Sequence, residues 1–161
     1  MKNRKLKIFI DGGSRGNPGH GACAAAIFDE KGVLVGEEGK YLGRCTNNFA
    51  EYTGLILALS TARHLGASEL AVFSDSELLV RQFNGQYKVK DPTLRILMTE
   101  IKKETSVFRS VTVSHVPRER NTHADRLVNG ILDNARTMDN PGQPGTAAKE
   151  CERKLHQPKL F

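Results

Sequence analysis

The sequence predicts one α/β domain built on a five-stranded mixed sheet, in which three antiparallel strands precede parallel strands and helices cover both faces. Two observations lead to this fold class. Apolar residues alternate over short segments in the first third of the chain, which is typical of strands, and then recur at helical spacing from residue 46 onward. Further strands and helices follow in mixed order, which is typical of a sheet with helices packed on it. A length of 161 residues fits a single domain.

The first three strands are predicted at residues 6–11, 22–28 and 33–41. The first ends at Asp11, and residues 12–21, with five glycines and Pro18, are predicted to form a loop. The polar link of residues 29–32 between the second and third strands indicates a hairpin.

Helical periodicity predicts a long helix over residues 46–65, with Thr46 as its N-cap and Gly66 after its end. A strand over residues 69–75 follows and ends at Asp75. Because a long crossover precedes this strand, we expect it to lie parallel to the first strand. The remaining elements are helices at 76–83 and 92–103, a strand at 108–116 and a helix at 121–136.

Composition changes after residue 137, and Pro and Gly interrupt residues 139–146. We therefore expect a folded domain at residues 1–136 and a linker with a C-terminal tail at 137–161. The three cysteines are widely spaced and predict neither disulfides nor a zinc site. No apolar run is long enough for a membrane span, and the N-terminus lacks the features of a signal peptide, so we expect a cytoplasmic protein.

A formal net charge of +6 and a pI of about 9.4 favour a polyanionic partner such as a nucleic acid. Within this basic background, two predicted strands end in aspartate. The carboxyl ends of adjacent parallel strands meet at one edge of a sheet, where ligand sites gather. Asp11 and Asp75 are therefore candidate site residues, although aspartate also ends strands and caps helices without any function.

Glu51 lies on the same helical face as Leu55 and Ala58, and a core-facing carboxylate must be paired, protonated or bound to metal. It could also lie at the rim of that face. Asp125 falls in the first turn of the last helix, where a carboxylate also interacts favourably with the helix dipole. Oxygen-only ligands favour Mg²⁺ or Mn²⁺, and two such ions can support phosphodiester hydrolysis.

Four motifs resemble those of type 1 ribonucleases H, over about residues 5–135. Residues 11–19 (Asp-Gly-Gly-Ser-Arg-Gly-Asn-Pro-Gly) resemble the first-aspartate loop of that family, and residues 46–51 (Thr-Asn-Asn-Phe-Ala-Glu) its glutamate motif. Residues 74–76 (Ser-Asp-Ser) and 121–125 (Asn-Thr-His-Ala-Asp) resemble the third and fourth motifs. The order and approximate spacing also match, which makes the resemblance specific.

The resemblance implies a ribonuclease H-like fold and a two-metal-ion endonuclease that hydrolyses the RNA strand of RNA–DNA hybrids, leaving 5′-phosphate and 3′-hydroxyl ends. Asp11, Glu51, Asp75 and Asp125 would bind two Mg²⁺ or Mn²⁺ ions. His115 matches a mobile catalytic histidine of the family, with His123 and Arg118 as alternatives. The implied substrate-binding residues are Gly12, Asn17, Thr46, Asn47, Asn48 and Arg118.

The long-armed members of the family carry a basic protrusion that contacts the hybrid. In this sequence the corresponding segment, between residues 84 and 92, is short or missing. Lys88, Lys90, Lys102 and Lys103 are candidates for part of that grip, and we expect hybrid binding with a steep salt dependence. Glu77 stands where the family frequently has glutamine.

The last five residues, Gln-Pro-Lys-Leu-Phe, resemble peptides that dock on the bacterial sliding clamp. Gln157, Leu160 and Phe161 would make the contacts, although Leu160 and Phe161 could instead fold back on the domain. We expect a monomer. Two other functions stay open at this point: a related nuclease with a different nucleic-acid substrate, and a nucleic-acid-binding module that has lost catalysis.

Overall fold

The computed structural model describes residues 3–138, and the side chains of residues 3–135. The predicted linker and the tail residues Gln157, Leu160 and Phe161 lie outside this range. The strands are β1 (Lys5–Gly16), β2 (Gly19–Phe28), β3 (Leu34–Cys45), β4 (Glu69–Ser74) and β5 (Ser110–His115). The helices are α1 (Asn47–His64), α2 (Glu77–Phe83), α3 (Pro92–Thr105) and α4 (Thr122–Met138), with a 3₁₀ turn at Arg118–Arg120 before α4.

The five strands form one sheet in the order β3-β2-β1-β4-β5. The pairs β1–β2 and β2–β3 are antiparallel, whereas β1–β4 and β4–β5 are parallel. This arrangement confirms the predicted mixed sheet and places β1 at its centre.

The glycine-rich segment after Asp11 is not the predicted loop. β1 continues through it to Gly16 and pairs with β2 in a long hairpin whose turn is Asn17–Pro18. The glycines mark close packing instead: a Cβ atom on Gly12 would lie 2.3 Å from the carbonyl oxygen of Ala50 in α1. The predicted end of β1 near Asp11 is where its pairing with β4 stops, at Ile10, whereas its pairing with β2 continues to Gly16.

Helices cover both faces of the sheet, as predicted. On one face, α1 lies between the sheet and α3 and is buried nearly all round, in a large apolar core that includes Cys23, Ala25 and Ile27 of β2. On the other face, α4 packs on Ala22 and Ala24 of the same strand in a separate, smaller cluster. None of the helices in the described part of the chain combines the length and apolarity needed to cross a bilayer.

Polar N-cap residues begin helices α1 and α2. The Thr46 hydroxyl accepts a hydrogen bond from the Phe49 N–H at 3.2 Å, as predicted for the N-cap of α1. Ser76 caps α2 in the same way, through the N–H of Leu79 at 3.3 Å. Both caps lie next to the segments that carry candidate carboxylates, so the helix starts help to fix their positions.

Candidate active site

Three of the four predicted carboxylates meet at the carboxyl end of the central strands. Ile10 and Ser74 are the last paired residues of β1 and β4, so Asp11 and Asp75 follow on neighbouring strands. Glu51 arrives from α1, whose backbone packs against Gly12. One carboxylate oxygen from each of Asp11, Glu51 and Asp75 lies within 4.8 Å of the other two.

The fourth carboxylate, Asp125, reaches the same place from α4 on the opposite face of the sheet. It lies outside the tight group of three, but it lines the same cavity and contributes to the raised pKa of Asp11. The structure therefore brings all four predicted carboxylates to one cavity, with Asp125 at its α4 side.

This concentration of acidic groups changes their protonation. Burial, followed by the charges of Asp75 and Asp125, raises the pKa of Asp11 from 3.8 to about 7. Burial also raises the pKa of Glu51 well above its ordinary value, with the charges of Asp11 and Asp75 acting in the same direction. A hydrogen bond with Ser76 and the charge of Arg118 lower it by less. A bound cation would relieve this repulsion.

The donor set fits a divalent cation of the Mg²⁺ or Mn²⁺ type. The clustered groups are all carboxylates, which are the ligands that these hard ions prefer. In addition, Oε2 of Glu51 is buried and has no hydrogen-bond partner among the described residues. A buried carboxylate oxygen without a partner, on a residue clustered with two other carboxylates, is expected of a metal ligand.

The carboxylates lie in a cavity of about 480 Å³ whose wall also carries basic and amide side chains. Its lining includes several residues from the predicted substrate-binding set: Gly12, Asn47, Asn48 and Arg118. Arg15 and Asn129 line it as well. An acidic centre surrounded by arginine and asparagine side chains suits a ligand that carries both phosphates and hydroxyl groups.

Asn17 and Thr46, which were also predicted to contact substrate, are not among the residues that line the cavity. They support it instead. The side-chain oxygen of Asn17 accepts a hydrogen bond from the Asn47 N–H at 3.1 Å, and Thr46 caps α1. The side-chain oxygen of Asn47 in turn accepts from the Ser14 N–H at 2.8 Å. The β1–β2 hairpin and the start of α1 are therefore tied together.

Neither candidate histidine lines the cavity that holds the carboxylates. His115 is the last residue of β5, where it pairs with Ser74, and its side chain is exposed and outside the cavity lining. Nε2 of His123 lies 2.5 Å from Oε2 of Glu37 on β3, and its ring packs edge-on against Phe28. His123 is thus engaged with the edge of the sheet, whereas Arg118 reaches the cavity.

The connection between α2 and α3 spans only residues 84–91 and carries no protruding arm. Gln82 holds it in place by donating a hydrogen bond to the Lys88 carbonyl at 3.1 Å, and the guanidinium of Arg81 lies over the Tyr87 ring. Lys102 is engaged elsewhere, because its ammonium donates to the Phe83 carbonyl at 2.7 Å. Of the four lysines predicted to contact substrate, Lys102 thus makes a hydrogen bond within the protein, at the end of α2.

Sequence reasoning missed two sets of residues around the site. Asn121, which began the fourth motif and the last predicted helix but was given no role in the site, is 1% exposed and hydrogen-bonds at the site. Arg15 forms an ion pair with Asp133 of α4 at 2.7 Å. The four-motif pattern contains Asn121 but gives no sign of its burial, and no local pattern pairs residues as far apart as Arg15 and Asp133.

A central mixed sheet with acidic residues gathered at the carboxyl end of β1 and β4 defines a ribonuclease H-like domain. The model of the reverse transcriptase-like family matches residues 9–130. The chain belongs to this family, within which its relatives place it among the type 1 ribonucleases H.

Two curated relatives illustrate the similarity. The bifunctional protein Rv2228c of Mycobacterium tuberculosis is 46% identical over 132 residues, which cover 81% of this chain and 36% of that protein. Ribonuclease HI of Halobacterium salinarum is 37% identical over 131 residues, covering 81% of this chain and 66% of the relative. The chain thus spans about a third of the length of the mycobacterial protein and about two thirds of the archaeal one.

Solved structures agree with the fold. The N-terminal RNase H domain of Rv2228c superposes with a TM-score of 0.81 at 44% identity, covering 84% of this chain and 99% of that one. RNase H1 of Halobacterium salinarum gives a TM-score of 0.79 at 37% identity, with 81% and 98% covered. LC11-RNase H1, solved in complex with an RNA/DNA hybrid, gives 0.78 at 42% identity, with 81% and 98% covered.

Proposed function

We propose that this protein is an endonuclease that hydrolyses the RNA strand of RNA–DNA hybrids with the help of divalent metal ions. The observation that carries the proposal is the group of three carboxylates, with oxygens within 4.8 Å of one another, in a cavity rimmed by arginine and asparagine. The similarity to LC11-RNase H1, whose structure contains an RNA/DNA hybrid, supports the choice of substrate.

Asp11, Glu51 and Asp75, with Asp125 at the α4 side, would hold two Mg²⁺ or Mn²⁺ ions. The chemistry that bound ions supply is activation of an attacking water and stabilisation of the leaving oxygen, which yields 5′-phosphate and 3′-hydroxyl ends. Asp11 and Glu51, whose pKa values are raised, would release any bound proton when they bind a cation. Site assembly is therefore coupled to proton release.

The residues around the carboxylates would orient the substrate. The hydrogen bond from Ser14 fixes the amide of Asn47 before substrate arrives, and Asn48 lies beside it on the cavity wall. Amides at this position suit the 2′-hydroxyl groups that distinguish RNA from DNA. Gly12 lets β1 and α1 approach closely enough for both walls to contact one strand. Thr46 and Asn17 would extend this surface towards the backbone of the duplex.

For the accessory catalytic role we keep His115, exposed at the end of β5, and Arg118 as the alternative. A specific observation favours Arg118: it lines the cavity, and its charge lowers the pKa of Glu51. A guanidinium there would bind the scissile phosphate or the departing product strand. Comparing the His115→Ala and Arg118→Ala variants in product-release kinetics would separate the two.

Three features of the whole protein complete the proposal. We also propose that it is a cytoplasmic monomer. Residues 137–161 would act as a linker and tail after the catalytic domain of residues 1–136. Gln157, Leu160 and Phe161 would dock on a sliding clamp, which would deliver the enzyme to replicating DNA.

The test is a cleavage panel with end-labelled RNA–DNA hybrid, duplex RNA and duplex DNA, each with Mg²⁺, Mn²⁺ or chelator. We expect cleavage of the RNA strand of the hybrid alone, with metal, and a loss of at least about 1,000-fold in Glu51→Gln. Cleavage of a different substrate would favour the related-nuclease alternative, and hybrid binding without cleavage the silent binding module. Activity that survives Glu51→Gln would refute the site.

A further inference from the structure

The side chain of Asn121 lies where the segments that carry the candidate site meet. We propose that Asn121 is a positioning residue, which fixes the spacing between the β1 and β4 carboxylates and thereby sets the affinity for metal. This role rests on the function proposed above. The fourth motif contains Asn121, but none of the predicted site roles was given to it.

The contacts of Asn121 reach four parts of the site. Its side-chain Nδ2 donates to the carbonyl of Ile10, next to Asp11, at 2.7 Å and lies 3.4 Å from Oδ2 of Asp75. Its backbone N–H donates to the Arg118 carbonyl at 3.0 Å, and its own carbonyl accepts from the Asp125 N–H at 3.1 Å. A single residue therefore links β1, the end of β4, the 3₁₀ turn and α4.

These contacts bear directly on the metal ligands. The parallel pairing of β1 with β4 ends at Ile10 and Ser74, so the strand ladder itself no longer fixes the residues that follow. The Asn121 amide bridges the two strand ends at this point, from the Ile10 carbonyl on β1 to the Asp75 carboxylate after β4. Both groups present oxygen atoms, which repel each other, and the amide holds them together. Outer-shell contacts of this kind tune metal affinity.

A simpler explanation is that Asn121 caps α4, which begins at the next residue. A capping asparagine accepts a backbone N–H of the first turn through its side-chain oxygen. Oδ1 of Asn121 is buried and accepts no hydrogen bond among the described residues. The amide orientation is set by two acceptors that Nδ2 faces, so Oδ1 cannot replace it there. Asn121 therefore acts through its donor, towards the site.

The orphaned Oδ1 also argues against a role in stability alone. Asn121 is 1% exposed, and a buried carbonyl without a partner destabilises a fold. An apolar residue at this position would avoid that cost but would lose both contacts of Nδ2. Asparagine keeps both contacts of Nδ2, with the Ile10 carbonyl and the Asp75 carboxylate.

The test measures metal binding without nucleic acid, on the full chain. Mn²⁺ is titrated by calorimetry into the wild type, Asn121→Ala and Asn121→Leu, where leucine keeps the branched shape of asparagine without its donor, in case alanine fails to fold. We expect the affinity for Mn²⁺ to fall about 10- to 100-fold, the range known for lost outer-shell contacts. The Mg²⁺ concentration for half-maximal hybrid cleavage should rise in parallel, while KM for the hybrid stays near the wild-type value.

Asn84→Ala is the matched control. Its side-chain Nδ2 also donates to a strand carbonyl, that of Val113 in β5 at 3.1 Å, but it lies outside the cavity lining. Urea unfolding of each variant with chelator measures the purely structural cost. We expect Asn84→Ala to lose stability with unchanged Mn²⁺ affinity.

Wild-type Mn²⁺ affinity in the Asn121 variants would overturn the proposal, and so would an equal loss in Asn84→Ala, which would indicate general loosening. Wild-type protein that binds Mn²⁺ but cuts no hybrid would refute the proposed function while leaving the role of Asn121 standing. Wild-type protein that binds no Mn²⁺ would refute both.

Discussion

Replacing Asp11 by asparagine should stabilise the metal-free protein. The Asp11 side chain is buried, and its pKa is raised to about 7 first by that burial and then by the charges of Asp75 and Asp125. Above pH 7 the folded protein must hold this carboxylate ionised among other acidic groups. Asparagine has nearly the same shape, carries no charge, and can still accept the Gly12 N–H through its amide oxygen.

The size of the effect follows from the two pKa values. The unfolded chain releases the Asp11 proton near the ordinary pKa of 3.8, whereas the folded protein holds it to about 7. Stability therefore falls as pH rises from about 4 to 7 and stays reduced above pH 7. One pKa unit is worth about 1.4 kcal/mol, so the reduction is at most about 4 kcal/mol. We expect Asp11→Asn to recover about 2–4 kcal/mol at pH 8.

Urea unfolding with chelator at pH 8 and at pH 4 is the assay. The advantage of Asp11→Asn should disappear at pH 4, where wild-type Asp11 is protonated. Millimolar Mg²⁺ at pH 8 should raise the stability of the wild type by mass action and leave the variant nearly unchanged. Glu38→Gln, at an exposed position on β3, is the control and should have little effect. A variant no more stable than the wild type at pH 8 would refute this reasoning.

Further predictions concern the site, the sheet and the tail. The affinity for Mg²⁺, and the cleavage rate at subsaturating Mg²⁺, should rise between about pH 6 and 8 as the raised pKa of Asp11 is passed, which a metal titration at each pH would measure. Gly12→Ala should cost several kcal/mol in urea unfolding, because its Cβ would meet backbone at 2.3 Å, whereas Gly13→Ala, whose nearest neighbour is a side-chain atom at 3.9 Å, should be near neutral. KM for the hybrid should rise steeply between about 50 and 200 mM salt in a cleavage assay; a flat response would contradict the basic-surface argument. Deleting residues 157–161 should abolish sliding-clamp pull-down and leave hydrolysis intact, and unchanged pull-down would remove the clamp hypothesis.

The elements of the fold could be predicted from local patterns. Strand alternation, the polar β2–β3 turn and the cap at Thr46 predict the order of strands and helices, because each acts over a few residues. The parallel placement of β4 beside β1 followed from the helical crossover between them. From that placement, the meeting of Asp11 with Asp75 could be predicted before any coordinates.

The end of β1 could not be predicted in the same way. Glycines in a sequence indicate a turn as readily as a close approach, and only the position of α1 against Gly12 decides between them. Glu51 was predicted from a one-sided apolar face, yet α1 is buried nearly all round, since α3 covers its outer side. Glu51 nevertheless lines the cavity beside Asp11 and Asp75, at the carboxyl ends of β1 and β4.

Contacts made across long stretches of sequence were also beyond local patterns. The hydrogen bond of Asn121 to Ile10 and the ion pair of Arg15 with Asp133 join residues more than 100 positions apart. No periodicity encodes such pairs. They exist because α4 returns to the sheet beside the first hairpin, and the position of α4 depends on the whole fold.

The separate packing of α4 bears on how the protein becomes active as it folds. α4 packs on small residues of the sheet, Ala22, Ala24 and Gly39. A Cβ atom at Gly39 would lie 2.5 Å from the side chain of Ile131. The large core on the other face shares no residue of this cluster. We therefore expect α4 to open without melting the rest, which hydrogen exchange would detect as early loss of protection in residues 122–135. Competence to bind metal would then arrive last, when the helix that bears Asp125 docks.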